Sequence, residues 1–169
     1  MNFKEQLVDS SKMLMELVAQ NVGCNVNYYN EVMSIALNEP TPFSSRAGRV
    51  VYICTLNYPY LFQPHVKTVI SYLKKHKGLQ HSILKIFAEI PVKLTEAEEG
   101  ILINTCFELL ADDNQTIAAK AYSMDILGNF GKKEPEIIPE LISLCDELYF
   151  SASAGIKSRI MKIRKKLLR

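Results

Sequence analysis

Apolar residues recur at helical spacing along almost the whole chain. Phe3, Leu7, Leu14, Leu17 and Val18 share one stripe and predict a helix over 3–20. A second helix carries Tyr29, Val32, Met33, Ala36 and Leu37, with Asn25 or Asn27 placed to accept from its first free amides. Glu39-Pro40-Thr41-Pro42 ends it, because proline lacks the amide donor and restricts the residue before it. A third helix over 43–57 is closed by Pro59. Pro64 suits the first turn of a fourth, which carries Val66, Val69, Ile70 and Leu73 and ends near His76-Lys77-Gly78. A fifth covers 79–90 with Ile83, Ile86, Phe87 and Ile90, and Pro91 breaks it.

Leu94-Thr95-Glu96-Ala97-Glu98-Glu99 reads as a helix start, with a threonine cap and a glutamate three positions on. The sixth helix continues through Ile101, Leu102, Cys106, Leu109 and Leu110 to the turn Asp112-Asp113-Asn114. A seventh runs to Gly128 or Gly131. The eighth begins at Glu134-Pro135-Glu136, where acids suit the positive end of the helix dipole. Ser151 or Ser153 caps a ninth that reaches the C-terminus. No β segment competes, so the expected fold class is all-α with about nine helices.

Alternate helices share a pattern. Arg46, His81, Lys120 and Lys157 are each followed by a small residue, Ala47, Ser82, Ala121 and Ser158. Six positions after each anchor stands an apolar or aromatic residue, Tyr52, Phe87, Ile126 and Ile163. Lys12 with Val18 is a weaker earlier copy. Small residues let neighbouring helices approach, and a helical pair that cannot bury its own stripe stacks on the next. Ala119-Lys120-Ala121 through Ile126-Leu127-Gly128-Asn129-Phe130-Gly131, followed by Pro135-Glu136-Ile137-Ile138-Pro139-Glu140-Leu141, resembles a HEAT repeat. The resemblance covers about residues 42–169 well and 1–40 poorly; His81 at a basic anchor and Glu89 in place of glycine depart from it. It implies a right-handed α-α superhelix of about four and a half helical hairpins in a single domain, 1–169. In that scheme 1–40 is an N-terminal capping hairpin, 42–77, 78–111 and 114–149 are repeats, and 151–169 is a C-terminal capping helix. The tryptophan-based signature of tetratricopeptide repeats is missing, as the chain has no tryptophan.

Composition adds that 48% of residues are hydrophobic, enough for a core. No run of about 18 apolar residues occurs, so no membrane span is expected. Met1-Asn2-Phe3-Lys4-Glu5-Gln6 lacks a basic stretch leading into an apolar one, and a cytoplasmic, bacterial-type protein is the expectation. The net charge of +2 conceals strong segregation. Residues 40–88 hold seven basic side chains and no acid, whereas 89–149 hold thirteen acids against four bases. The last twenty residues hold seven bases, among them Arg169, and no acid.

The candidate chemistry is sparse. Cys24, Cys54, Cys106 and Cys145 are too far apart for a Cys-x-x-Cys site, and the last three sit in apolar helical surroundings that predict buried free thiols. His65, His76 and His81 have no acid within 40–88 to complete a local metal set. The acid clusters at Glu96, Glu98, Glu99 and at Asp112, Asp113 mark helix ends. No phosphate-cradling glycine loop is present. No catalytic, cofactor-binding or metal-binding residue and no cofactor is therefore assigned.

Binding candidates are more numerous. Lys67, Lys74 and Lys75 fall at helical spacing on the fourth helix, and in HEAT-type stacks the second helix of each pair lines the concave wall, so the resemblance implies a basic wall there. Tyr58 and Tyr60 belong to an aromatic turn, Asn57-Tyr58-Pro59-Tyr60-Leu61-Phe62, which either plugs a seam between repeats or meets a partner. Lys162 and Lys166 lie on the basic face of the last helix. These seven are the expected partner-binding residues of a non-enzymatic scaffold for a protein partner. Self-association through the opposite-charge blocks is an alternative. So is nucleic-acid binding in the manner of the HEAT-like alkylation-repair glycosylases, although the acidic block would repel phosphate. A HEAT-like lyase is a third reading, without its metabolic signature here.

Overall fold

In the computed structural model, residues 2–168 are described; Met1 and Arg169, the latter being the last cation of the C-terminal run, lie outside the described residues. Among the described residues there are ten α-helices, three short 3-10 turns and no strand. The helices are α1 Phe3–Gln6, α2 Lys12–Val22, α3 Val26–Asn38, α4 Phe43–Asn57, α5 Val66–Tyr72, α6 Lys77–Glu89, α7 Glu96–Ala111, α8 Ile117–Phe130, α9 Ile138–Ser151 and α10 Ala154–Leu167. They group into two compact units, Met1–Thr95 and Glu96–Arg169.

Several boundaries fall where the capping residues put them. Asn25 accepts from the Tyr28 amide at 3.1 Å, Thr116 from Ala119 at 3.1 Å and Ser153 from Ile156 at 3.5 Å. Each satisfies one of the amides that a helix start leaves without an internal partner. Other boundaries differ from the periodicity: 3-10 turns, Gln63–His65 and Pro135–Ile137, precede α5 and α9, which start at Val66 and Ile138. The expected helix over 3–20 is split into α1 and α2. Asp9 accepts from the Ser11 amide at 2.6 Å, Ser11 caps α2, and arginines of α4 take up the carbonyls left free, Arg46 at Leu7 (2.8 Å) and Arg49 at Ser10 (2.6 Å). The fourth helix stops early, at Tyr72, and Lys77-Gly78 opens α6 instead of closing α5.

In the first unit α4 is central, packed against α2, α3 and α6. Its buried face, Ala47, Val50, Val51 and Cys54, meets a core that includes Val18, Tyr29, Val32, Leu79 and Ile83. Tyr29 is fully buried and its hydroxyl lies 2.8 Å from Thr55 Oγ1, so its polar tip is matched. In the second unit α8 holds the corresponding place between α7 and α10, and Leu102, Cys106, Leu110, Met124, Leu127, Leu141 and Ile160 fill the interior.

The repeat is visible as contacts one period apart. Tyr52 bonds to Glu89, Arg159 to Asp125 and Lys166 to Asn129, at sequence separations of 37, 34 and 37 residues. The small column after each anchor holds only in the first unit. Ala47 and Ser82 are buried there, and a Cβ on neighbouring Gly48 would lie 3.0 Å from Ser82 Oγ. Ala121 is only half-buried and Ser158 is exposed. In the second unit the close approach has moved along α8 to Gly128, whose added Cβ would stand 2.6 Å from Ile163 Cδ1. Ala121→Leu should therefore cost about 1 kcal/mol or less, since overpacking is costly only in a filled interior. A thermal melt of that variant checks this; a fall of many degrees would place the close approach back at Ala121.

Candidate functional site

The basic segment of the first unit is exposed as a group but is not one helical face. Lys67 projects from α5, whereas Lys74 and Lys75 lie beyond its end in the turn that leads to His76. Helical spacing therefore relates Lys67 to Ser71 and no further. The aromatic turn divides by depth. Leu61 and Phe62 are buried at 3% and 0% exposure, and Phe62 packs edge-on against Phe87 at 5.7 Å between centroids. Tyr58 and Tyr60 remain 37% and 59% exposed, with their rings 6.4 Å apart. The turn thus buries one pair of its apolar side chains and leaves the other pair accessible.

In the second unit Lys162 and Lys166 are exposed one turn apart on α10. Lys166 donates to Asn129 Oδ1 at 2.6 Å. Burial and then the Lys132 ammonium hold the Lys166 ammonium below its usual range. Five acids of this unit are engaged locally. Glu99 takes the Lys133 ammonium at 2.6 Å, Asp112 closes its turn on the Asn114 amide and the Gln115 side chain, and Asp113 lies 3.8 Å from Lys120. Asp125 pairs with Arg159 and Asp146 with Arg164.

One cavity was not foreseen from the residues. A cleft of about 700 Å³ opens between α2, α4 and α6 within the first unit. Lys12, Arg49, Lys77, His81 and Lys85 line it, with Tyr52, Ile53 and Leu56 supplying apolar and aromatic surface. The Lys85 ammonium sits 4.1 Å from the centre of the Tyr52 ring, and Tyr52 donates to Glu89 at 2.7 Å. The one carboxylate in the lining is Glu16, 3.7 Å from Lys12. His81 registers the positive surroundings: burial, then Lys85 and Arg49, hold its imidazole below the usual value, with Glu89 opposing. A sequence signal existed in the anchor His81 and the sixth-position Tyr52, which the repeat places on alternate helices. Their union with Lys12 required knowing that α2 packs on α4.

Three of the four cysteines are buried. Burial pushes the Cys54 and Cys106 thiols up to about 12 and Cys145 to about 11. Cys145 packs with its sulfur 3.9 Å from that of Met124, and Cys24 is exposed. An aromatic disulfide reagent should therefore titrate one thiol in the native chain and all four after unfolding; fast release from a second native thiol would contradict this burial.

Comparison with known proteins gives one result. A family model described as HEAT repeat domain matches residues 3–167. No curated protein and no solved structure matches the chain significantly.

Proposed function

The chain belongs to the HEAT-repeat family, and from that premise we propose that it is a non-enzymatic scaffold presenting its helical surface to a protein partner. The observation that carries this role is the aromatic turn. Folding uses Leu61 and Phe62 as its plug and leaves the rings of Tyr58 and Tyr60 partly in water, within a segment whose charged residues are all cations. Tyrosine is enriched at protein interfaces because its rigid ring gives apolar contact and its hydroxyl still bonds at the rim. Lys67, Lys74 and Lys75 extend that surface in the first unit, and Lys162 and Lys166 offer a second basic surface on α10. Cations of this kind steer an acidic partner from a distance and fix its register.

The test is a pull-down from nuclease-treated native extract with the parent chain and with the Lys67→Glu, Lys74→Glu, Lys75→Glu triple variant. A partner held by the parent, released by salt and missed by the variant supports the role. A catch that vanishes with nuclease treatment points to nucleic acid instead. Retention of the partner by the triple variant reduces these lysines to a solvated face.

A further inference from the structure

The cleft between α2, α4 and α6 is lined by none of the residues just assigned. It brings Arg49, Lys77 and Lys85 together around an aromatic and aliphatic lining, in a volume within the ordinary range for ligand sites. We propose that this cleft receives an acidic peptide segment of the partner, its carboxylates on Arg49, Lys77 and Lys85 and one apolar side chain against Ile53 and Leu56. The proposal rests on the scaffold role above and adds to it a site and a chemical class of ligand.

Three observations favour that occupant. First, the charges are complementary and already oriented. Arg49 is anchored by its bond to the Ser10 carbonyl, and Lys85 is held over Tyr52, so two of the three cations have lost part of their freedom before a ligand arrives. Second, the lining is mixed. Leu56 is 54% exposed and Ile53 lies beside it on the cleft wall, which suits an apolar anchor between acids. Third, Glu16 in the wall and Glu89 beside Tyr52 interrupt the positive field. A nucleic acid carries a charge about every 3.4 Å along each strand and has no neutral stretch to set against them. A peptide can put a neutral or basic residue there. A second copy of the chain, offering the acids of its second unit, is the other occupant that the test separates.

The experiment uses the full chain and a fluorescein-labelled peptide of aspartate and glutamate interspersed with leucine. Its counterpart with asparagine and glutamine is the control, and an oligothymidylate is the competitor. Fluorescence anisotropy should show that the acidic peptide binds and its amide counterpart does not. Affinity should fall with salt, because the Debye length shrinks from about 10 Å at 0.1 M to about 3 Å at 1 M. Lys77→Glu with Lys85→Glu should weaken binding about tenfold or more. Leu56→Ser should weaken it at every salt concentration, since it removes an apolar contact. The Lys67, Lys74, Lys75 variant should bind the peptide as the parent does. Lys77 is exposed, so Lys77→Glu alone keeps the test valid if replacing Lys85 over the Tyr52 ring disturbs folding. Equal binding of the amide peptide overturns the proposal. So does tighter binding of oligothymidylate that the same variant abolishes, or a dimer in the parent that the variant dissolves. If the pulled-down partner depends on Lys67, Lys74 and Lys75 but not on Lys77 and Lys85, the scaffold role stands and the cleft is not its site.

Discussion

Phe62→Ala should cost about 3–5 kcal/mol, the usual range for emptying a buried phenylalanine site, whereas Tyr60→Ala, two residues away, should change stability by no more than about 0.5 kcal/mol. Phe62 is fully buried and its ring meets Phe87 of α6 edge-on at 5.7 Å. Truncation removes the transfer energy of the ring and leaves a hole that short 3-10 turns on either side, Pro59–Leu61 and Gln63–His65, cannot close by sliding. The ring of Tyr60 is 59% exposed, so alanine there deletes surface already in water. Urea unfolding of the two variants, compared at constant slope, gives both numbers. A similar loss for both would mean that the turn packs as a whole, and the exposed pair could no longer be reserved for a partner.

That contrast shows how far the residues speak for themselves. Periodicity and caps identify α3 and α10 within a residue or two, because the signals are local: an asparagine or serine side chain bonding its own first turn. The turn at 57–62 is legible as aromatic, but a run of rings carries no period that says which face inward. The break between α1 and α2 is illegible for a different reason. Leu7 and Leu14 continue one apolar stripe, yet the carbonyls of Leu7 and Ser10 are satisfied by Arg46 and Arg49, 39 residues away. A tertiary bond pays for ending the helix, and no local rule contains it. The cleft is hidden in the same way, because its cations come from three helices whose adjacency follows from packing. Even the repeat, which announces the family, misplaces the small column in the second unit, where Gly128 and not Ala121 meets the next helix.

Gly78→Ala should destabilise the chain by about 2 kcal/mol, although glycine to alanine within a helix ordinarily gains up to about 1 kcal/mol. Gly78 sits in the first turn of α6, where the sequence suggests a glycine that ends a helix. Its φ is not in the left-handed region, so conformational freedom is not the reason for it. Space is the reason. A Cβ here would stand 2.3 Å from Ser44 Oγ, 2.9 Å from Thr41 Oγ1 and 3.2 Å from Ser45 Oγ, all three about the start of α4. Overpacking of this kind costs about 1–3 kcal/mol, and the ring of hydroxyls leaves little room for any one to rotate away. Ser44 is fully buried and its hydroxyl has no hydrogen-bond partner among the described residues. Removing that oxygen therefore forfeits no bond and clears the nearest obstacle. Ser44→Ala alone should be neutral or mildly stabilising, since an unsatisfied buried hydroxyl is itself a cost of about 1–3 kcal/mol. The double variant should recover most of what Gly78→Ala loses. The four melting curves form a cycle whose interaction energy reports the Ser44–Gly78 approach alone. Additive effects would show that α6 and α4 do not meet at this point, and with that the lower part of the cleft, where Lys77, Gly78 and Ser45 line one wall, would lose its geometry.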